Sequence, residues 1–318
     1  MNQPLKKLLP VAPIAAAIVL AAMATPKKAT ADAASDAAEK AEKCATRISI
    51  AMIGEGAPAD LLANANPQAA VDTLLNDPKF VERFSRFINS QFNNEPGMTA
   101  PDDAAYYMTK YNLQNKKPWA DMFTGPYNVV AQGNDAVVQD DPNGLGYFRS
   151  RAWSVRYAGN ESAGIRIVTA YRMMQNTIGL KLSATTNAPD ADISVNGRKS
   201  AACAGCHFNP WFALDNTASV LGTRTGTGQN TQFQPSTKGA QQILGGVTVS
   251  NDKELVNALV TNEAFAVNVA RLSYRYLFGR DEYSCEGPVF DAAVDAFKKD
   301  KTITSALAVI AKDPTFCE

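Results

Sequence analysis

Apolar residues recur at helical intervals along most of this chain, and the stretches that break the rhythm are rich in glycine, asparagine and proline. From Asp32 to about Ile53, alanines are interleaved with Asp36, Glu39, Lys40, Glu42 and Lys43, a composition that favours a helix. Gly54-Glu55-Gly56-Ala57-Pro58 ends it. Two more helices are expected at Pro67 to Leu75 and at Pro78 to Phe92. In the second, Phe80, Phe84, Phe87, Ile88 and Phe92 share roughly one face and read as core. Asp77 and Pro78 form a suitable N-cap and first turn. Residues 94 to 160 are rich in Asn, Gly, Pro and Asp, so the reading there is a short helix at Asp102 to Tyr111 and irregular structure elsewhere.

A long helix is expected at Ala163 to Leu180, its turns marked by Ile165, Val168, Tyr171 or Arg172, Gln175 and Ile178. The following linker, Ser183 to about Gly197, is taken as the boundary between a helical N-terminal domain (32–190) and a C-terminal domain (191–318). Residues 222 to 250 lack helical period and read as a long loop or short strands. Helices resume at Asp252 to Val260 and at Glu263 to Phe278, the latter stopped by Gly279, and end with a pair at Pro288 to Lys299 and Thr302 to Lys312. The fold class is therefore mainly α, with long irregular loops.

Composition narrows the function classes. The 318 residues are 46% hydrophobic and 19% charged, enough to bury a core in one or two domains. Lys+Arg and Asp+Glu stand at 31 each, so no positive field of the kind that binds nucleic acid is expected. Lys6 and Lys7 precede an uncharged apolar run from Leu8 to Ala24, which reads as an export signal over residues 1–31, cleaved after Ala24 or Ala31. An uncleaved anchor is the alternative, although Pro10 and Pro13 interrupt the run and its length only approaches what a bilayer span needs. No later segment reads as a membrane span. The implied location is periplasmic or extracellular.

The chemistry concentrates at Cys203-Ala204-Gly205-Cys206-His207. Cys-x-x-Cys-His is the attachment signature of c-type haem: two thiols hold the porphyrin covalently and the next residue supplies an axial nitrogen. His207 is the only histidine in the chain. A thioredoxin-like dithiol would want a βαβ context, and zinc would need four ligands where the remaining cysteines are remote in sequence. One covalent haem is the expected cofactor, with Cys203, Cys206 and His207 as its holders.

A single histidine rules out bis-histidine ligation within one chain. The methionines beyond the signal, Met52, Met98, Met108, Met122, Met173 and Met174, all precede His207, whereas small class I cytochromes c place theirs downstream. Met173 or Met174, on the helix before the linker, are the foremost distal candidates; core packing, an open iron, or a Lys or Tyr ligand are the alternatives. Arg224 is the first choice to pair with the haem propionates, with Arg198 and Arg280 behind it. Trp211 and Phe212 could pack on the porphyrin or in the core. The loop from Gly222 to Gly228 lacks the Lys-Ser/Thr ending of a P-loop. In an oxidising compartment Cys285 and Cys317 form the natural disulfide and leave Cys44 over, although all three pairings of these cysteines stay open.

These residues resemble the modular cytochromes of the planctomycete type, in which a Cys-x-x-Cys-His haem domain is followed by a small helical domain. The similarity is carried by Ala202 to His207, by Asn209-Pro210-Trp211-Phe212-Ala213-Leu214-Asp215, by Gly222-Thr223-Arg224 and by Arg275-Tyr276-Leu277-Phe278-Gly279-Arg280. Asp313-Pro314-Thr315-Phe316 is similar to the family's Ser-Asp-x-Phe ending. Upstream, Lys117-Pro118-Trp119-Ala120-Asp121-Met122-Phe123-Thr124-Gly125-Pro126-Tyr127 resembles a recurring Arg-Pro-Phe-x-Glu-Leu-Leu-Thr-x-x-Tyr stretch, and the Ala163 to Leu180 helix stands where the family has its Arg-Gly helix. Here the family's Asp-Pro-x-Gly-Phe is shortened and its proline-rich linker is nearly absent. The resemblance implies haem and export; most members have no assigned reaction. The functional expectation is an electron carrier working with a redox partner protein. The alternatives are a haem enzyme or small-ligand sensor, and a structural haem domain.

Overall fold

The computed structural model describes residues 33–93, 99–157, 166–182, 190, 192–209, 211–225 and 232–318. The segment read as an export signal, Met98, Ala163 to Ile165, Pro210 and the glycines of the loop after Thr225 lie outside them. Helices dominate, and the sheets among the described residues are three two-stranded antiparallel ribbons, so the fold is mainly α.

The helix Ala33–Ile53 buries Cys44, Ile48 and Met52, one residue per turn, on a single stripe. Against that stripe lie Pro78–Phe92, Glu263–Phe278 and the closing turn Pro314–Cys317. Pro78–Phe92 has the expected bounds: the Asp77 carboxylate accepts the Lys79 N–H at 2.7 Å, and Phe80, Phe84, Ile88 and Phe92 are buried. The rings of Phe80, Phe84 and Phe87 meet Tyr276, with Phe84 centred 4.9 Å away and edge-on, a geometry aromatic pairs favour. The Tyr276 hydroxyl donates to the Met52 carbonyl at 2.6 Å, which joins first and late helices in one contact.

The stretch before Tyr157 is more ordered than its polar composition suggests. Tyr127–Gln132 and Asp135–Asp140 form a hairpin in which Gln132 faces Asp135, closed by a two-residue turn with Gly133 at φ +63°. A positive φ at that position suits the twist of the flanking strands. The expectation of irregular structure is corrected there, and again by helices at Asp121–Thr124 and Arg151–Arg156. Val130, Ala131 and Val137, apolar at half-buried or exposed positions, break its alternation in the sequence.

Of the helix expected at Ala163 to Leu180, Ile167–Ile178 is helical, with Arg166 as its N-cap and Gly179 as its C-cap. Gly179 ends it at φ +70°, and an added Cβ there would come within 2.7 Å of Asn268 Oδ1. Asn268, buried on Glu263–Phe278, donates its amide to the carbonyls of Asn176 (3.2 Å) and Thr177 (2.9 Å) and so satisfies the open end of that helix. Arg149 likewise grips Asp252, at the start of Asp252–Thr261, with two bonds of 2.8 and 2.9 Å. Buried apolar residues from both sides of position 190 belong to one cluster.

The helix pair at the C-terminus, Gly287–Asp300 and Ile303–Lys312, runs into Pro314–Cys317, which brings Cys317 to Cys44. The favoured Cys285–Cys317 pairing is thereby corrected: Cys285 is an exposed free thiol, while Cys44 is buried on the stripe where the chain end docks. Proximity in the sequence yields to packing of the last turn on the first helix. Because this bond closes nearly the whole described chain, Cys44→Ser should lower the unfolding free energy by about 2–4 kcal/mol. Cys285→Ser should stay within about 0.5 kcal/mol. Urea unfolding of the two variants checks the pair.

Candidate functional site

Three short elements build the region around the motif. Ser194 accepts the Gly197 N–H at 3.2 Å and starts the turn Val195–Arg198. Ser200 then opens the helix Ala201–His207, its carbonyl accepting the N–H groups of Cys203 and Ala204. Cys203, Cys206 and His207 sit at i, i+3 and i+4, which places them on one face. The intervening residues are Ala204 and Gly205, and a Cβ added at Gly205 would meet nothing within 4 Å. No residue of this helix is buried, and both thiols are free, Cys206 exposed and Cys203 half-buried.

The imidazole of His207 is tied from behind. Its Nδ1 lies 2.8 Å from Oδ2 of Asp215, which stands in the first turn of Leu214–Val220. Arg198 grips the same carboxylate: Nη2 donates to Oδ1 at 2.7 Å and Nε to Oδ2 at 3.1 Å. Arg198 is only 6% exposed and also donates to the Ile193 carbonyl. A guanidinium stays charged, so its buried partner is a carboxylate that can only accept. Nδ1 is then the nitrogen that donates, and in a neutral ring the lone pair falls on Nε2, which has no hydrogen bond among the described residues. Two free thiols and an imidazole on one helix face are the donor set a c-type haem would use.

Exposed apolar side chains flank the helix in the sequence, and one more lies on the ribbon whose turn approaches Trp211. Ile193, Val195, Trp211 and Val247 are four of the eight large hydrophobic side chains exposed among the described residues. Trp211, 51% exposed, is approached by the turn at Gly245, where an added Cβ would stand 3.5 Å from the ring; that turn joins Gln241–Ile243 to Val247–Val249. Phe212 is half-buried.

The other candidates from the sequence are scattered. Met173 and Met174 are buried on Ile167–Ile178, with Met173 lining a small cavity beside Phe148, Trp153, Leu221 and Phe233. Met52, Met108 and Met122 are buried too, and Met122 receives the Thr109 hydroxyl at 3.8 Å. Arg224 lies in the strand Thr223–Thr225 opposite Phe233, its side chain outside the described residues. Arg280 is taken by Glu286 through two bonds of 2.7 and 2.6 Å. Arg198, ranked behind Arg224 as a propionate partner, is committed to Asp215. Among the described residues no three His, Cys, Asp or Glu side chains gather as a metal chelate, and no helix is long and apolar enough to cross a membrane.

Asp215 is the functional residue the sequence reading passed over. A signal existed: a lone ligand histidine needs an acceptor for its second nitrogen, and Asp215 heads the next helix. No protein-family model, characterised protein or solved structure matches this chain.

Asp215→Ala should destabilise the fold by about 3–5 kcal/mol, because it strands a buried guanidinium. Glu286→Ala, which frees the more exposed Arg280, should cost no more than about 1 kcal/mol. Chemical denaturation of the two variants distinguishes these costs.

Proposed function

We propose that this chain is an exported cytochrome of the c type, carrying one covalent haem on Cys203 and Cys206 with His207 as the axial ligand. The observation that carries the reading is the His207 geometry: Nδ1 is held by Asp215, which leaves Nε2 as the uncommitted ring nitrogen on the same helix as two free thiols. Bound there, the haem supplies a one-electron iron couple. Cys203 and Cys206 fix its position, and His207 sets its orientation. The exposed Trp211, Val195 and Ile193 provide apolar contact for the porphyrin edge and for a redox partner protein. Electron transfer is the function this arrangement supports best. The Cys44–Cys317 disulfide supports an oxidising compartment, in keeping with the export signal and with membership of the planctomycete-type cytochromes as part of the proposal.

A second reading, a haem enzyme or small-ligand sensor, is favoured by one specific observation. The five described methionines beyond the signal are all buried in the core, and an anionic partner on the proximal histidine suits an iron that binds or activates a small ligand.

Expression with export and haem attachment should give one covalent haem per chain by haem staining and pyridine haemochrome assay. Cys203→Ala/Cys206→Ala should abolish it. An unmodified wild-type chain under those conditions contradicts the proposal. A low-spin six-coordinate ferric spectrum supports the carrier, and a high-spin one transfers the support to the enzyme or sensor.

A further inference from the structure

We infer that Asp215 is a positioning residue for the axial histidine and that Arg198 is its counterweight, the two together setting how strongly His207 donates to iron. The inference rests on the haem reading and adds to it the means by which this chain would tune the iron couple. The Asp215 carboxylate stands between two donors, with His207 Nδ1 at 2.8 Å on one side and Arg198 Nη2 at 2.7 Å on the other. Both distances are those of charge-assisted hydrogen bonds.

The physical consequences of the two contacts oppose each other. A carboxylate on Nδ1–H draws the proton toward itself, enriches the ring in electron density and makes Nε2 a stronger donor, which favours ferric iron. A guanidinium on the same carboxylate withdraws negative charge from it and weakens that pull. The pairing also fixes the ring against rotation, since Oδ2 lies within reach of both His207 and Arg198 Nε. Arg198 is itself immobilised: its side chain is 8% exposed and is anchored to the Ile193 carbonyl. The counterweight is thus part of the fold rather than a mobile surface charge.

The reduction potential reads this arrangement directly. Asp215→Asn keeps the shape but removes the anion, so the haem should become easier to reduce. Arg198→Gln leaves the carboxylate to His207 alone, so the haem should become harder to reduce. Each change is expected to move the ferric-to-ferrous equilibrium about tenfold, ~59 mV for a one-electron couple. Asp215→Glu should return the potential toward wild type. Spectroelectrochemistry on the haem-loaded full chain makes the comparison, with haem content measured on the same samples. Opposite shifts in the two variants support the inference. Shifts of the same sign, or none in loaded protein, overturn it while the haem reading stands. If Asp215→Asn does not fold, Arg198→Gln decides alone: a downward shift supports the inference and an unchanged or raised potential overturns it. A wild-type chain that takes up no covalent haem overturns both, and haem content separates that outcome from the others.

Discussion

The carboxylate of Asp215, shared between the buried guanidinium of Arg198 and the imidazole of His207, is the contact on which the functional region depends. Without Asp215, Arg198 would be a cation enclosed in protein with only the Ile193 carbonyl for compensation. Without Arg198, the carboxylate would be a partly buried anion leaning on one imidazole. Each group makes the other tolerable, and in a neutral ring the contact sets the tautomer. That tautomer decides which nitrogen of the chain's only histidine is available for chemistry.

The scaffold holds this contact from several directions. Leu214–Val220, which carries Asp215, packs on Ile167–Ile178; that helix is in turn capped by Asn268 on Glu263–Phe278. Glu263–Phe278 packs on Ala33–Ile53, and the disulfide locks the chain end to that first helix. A path of packed helices therefore leads from the Cys44–Cys317 bond to the motif. Continuous burial across the expected domain boundary has the same consequence, since the motif segment rests on a core supplied by the whole described chain.

Much of this was legible in the sequence where local physics decides. The phenylalanine stripe of Pro78–Phe92, its Asp77 cap and the Gly279 stop each follow from periodicity and end chemistry, and so does the mainly α class. The Tyr127–Asp140 hairpin was hidden because Val130, Ala131 and Val137 put apolar residues at half-buried or exposed positions and blur the alternation. The disulfide pairing was hidden because closure of Cys44 on Cys317 depends on how the last turn docks, a long-range outcome that spacing does not carry. Within the site, the motif announced itself through fixed spacing, whereas the His207–Asp215–Arg198 chain joins three separate elements. Periodicity offers no register for such a contact; only the bonding needs of a buried arginine and of a proposed ligand histidine point to it.

The central claim is that Cys203, Cys206 and His207 act as one haem-binding unit on an exposed helix. Mass spectrometry of the proteolytic fragment from Ser200 to Arg224, taken from chain exported by a cell that attaches haem, tests it most directly. A fragment heavier by one haem is expected, the group bonded to both Cys203 and Cys206. A fragment with two free thiols, or with Cys203 and Cys206 joined to each other, would contradict it.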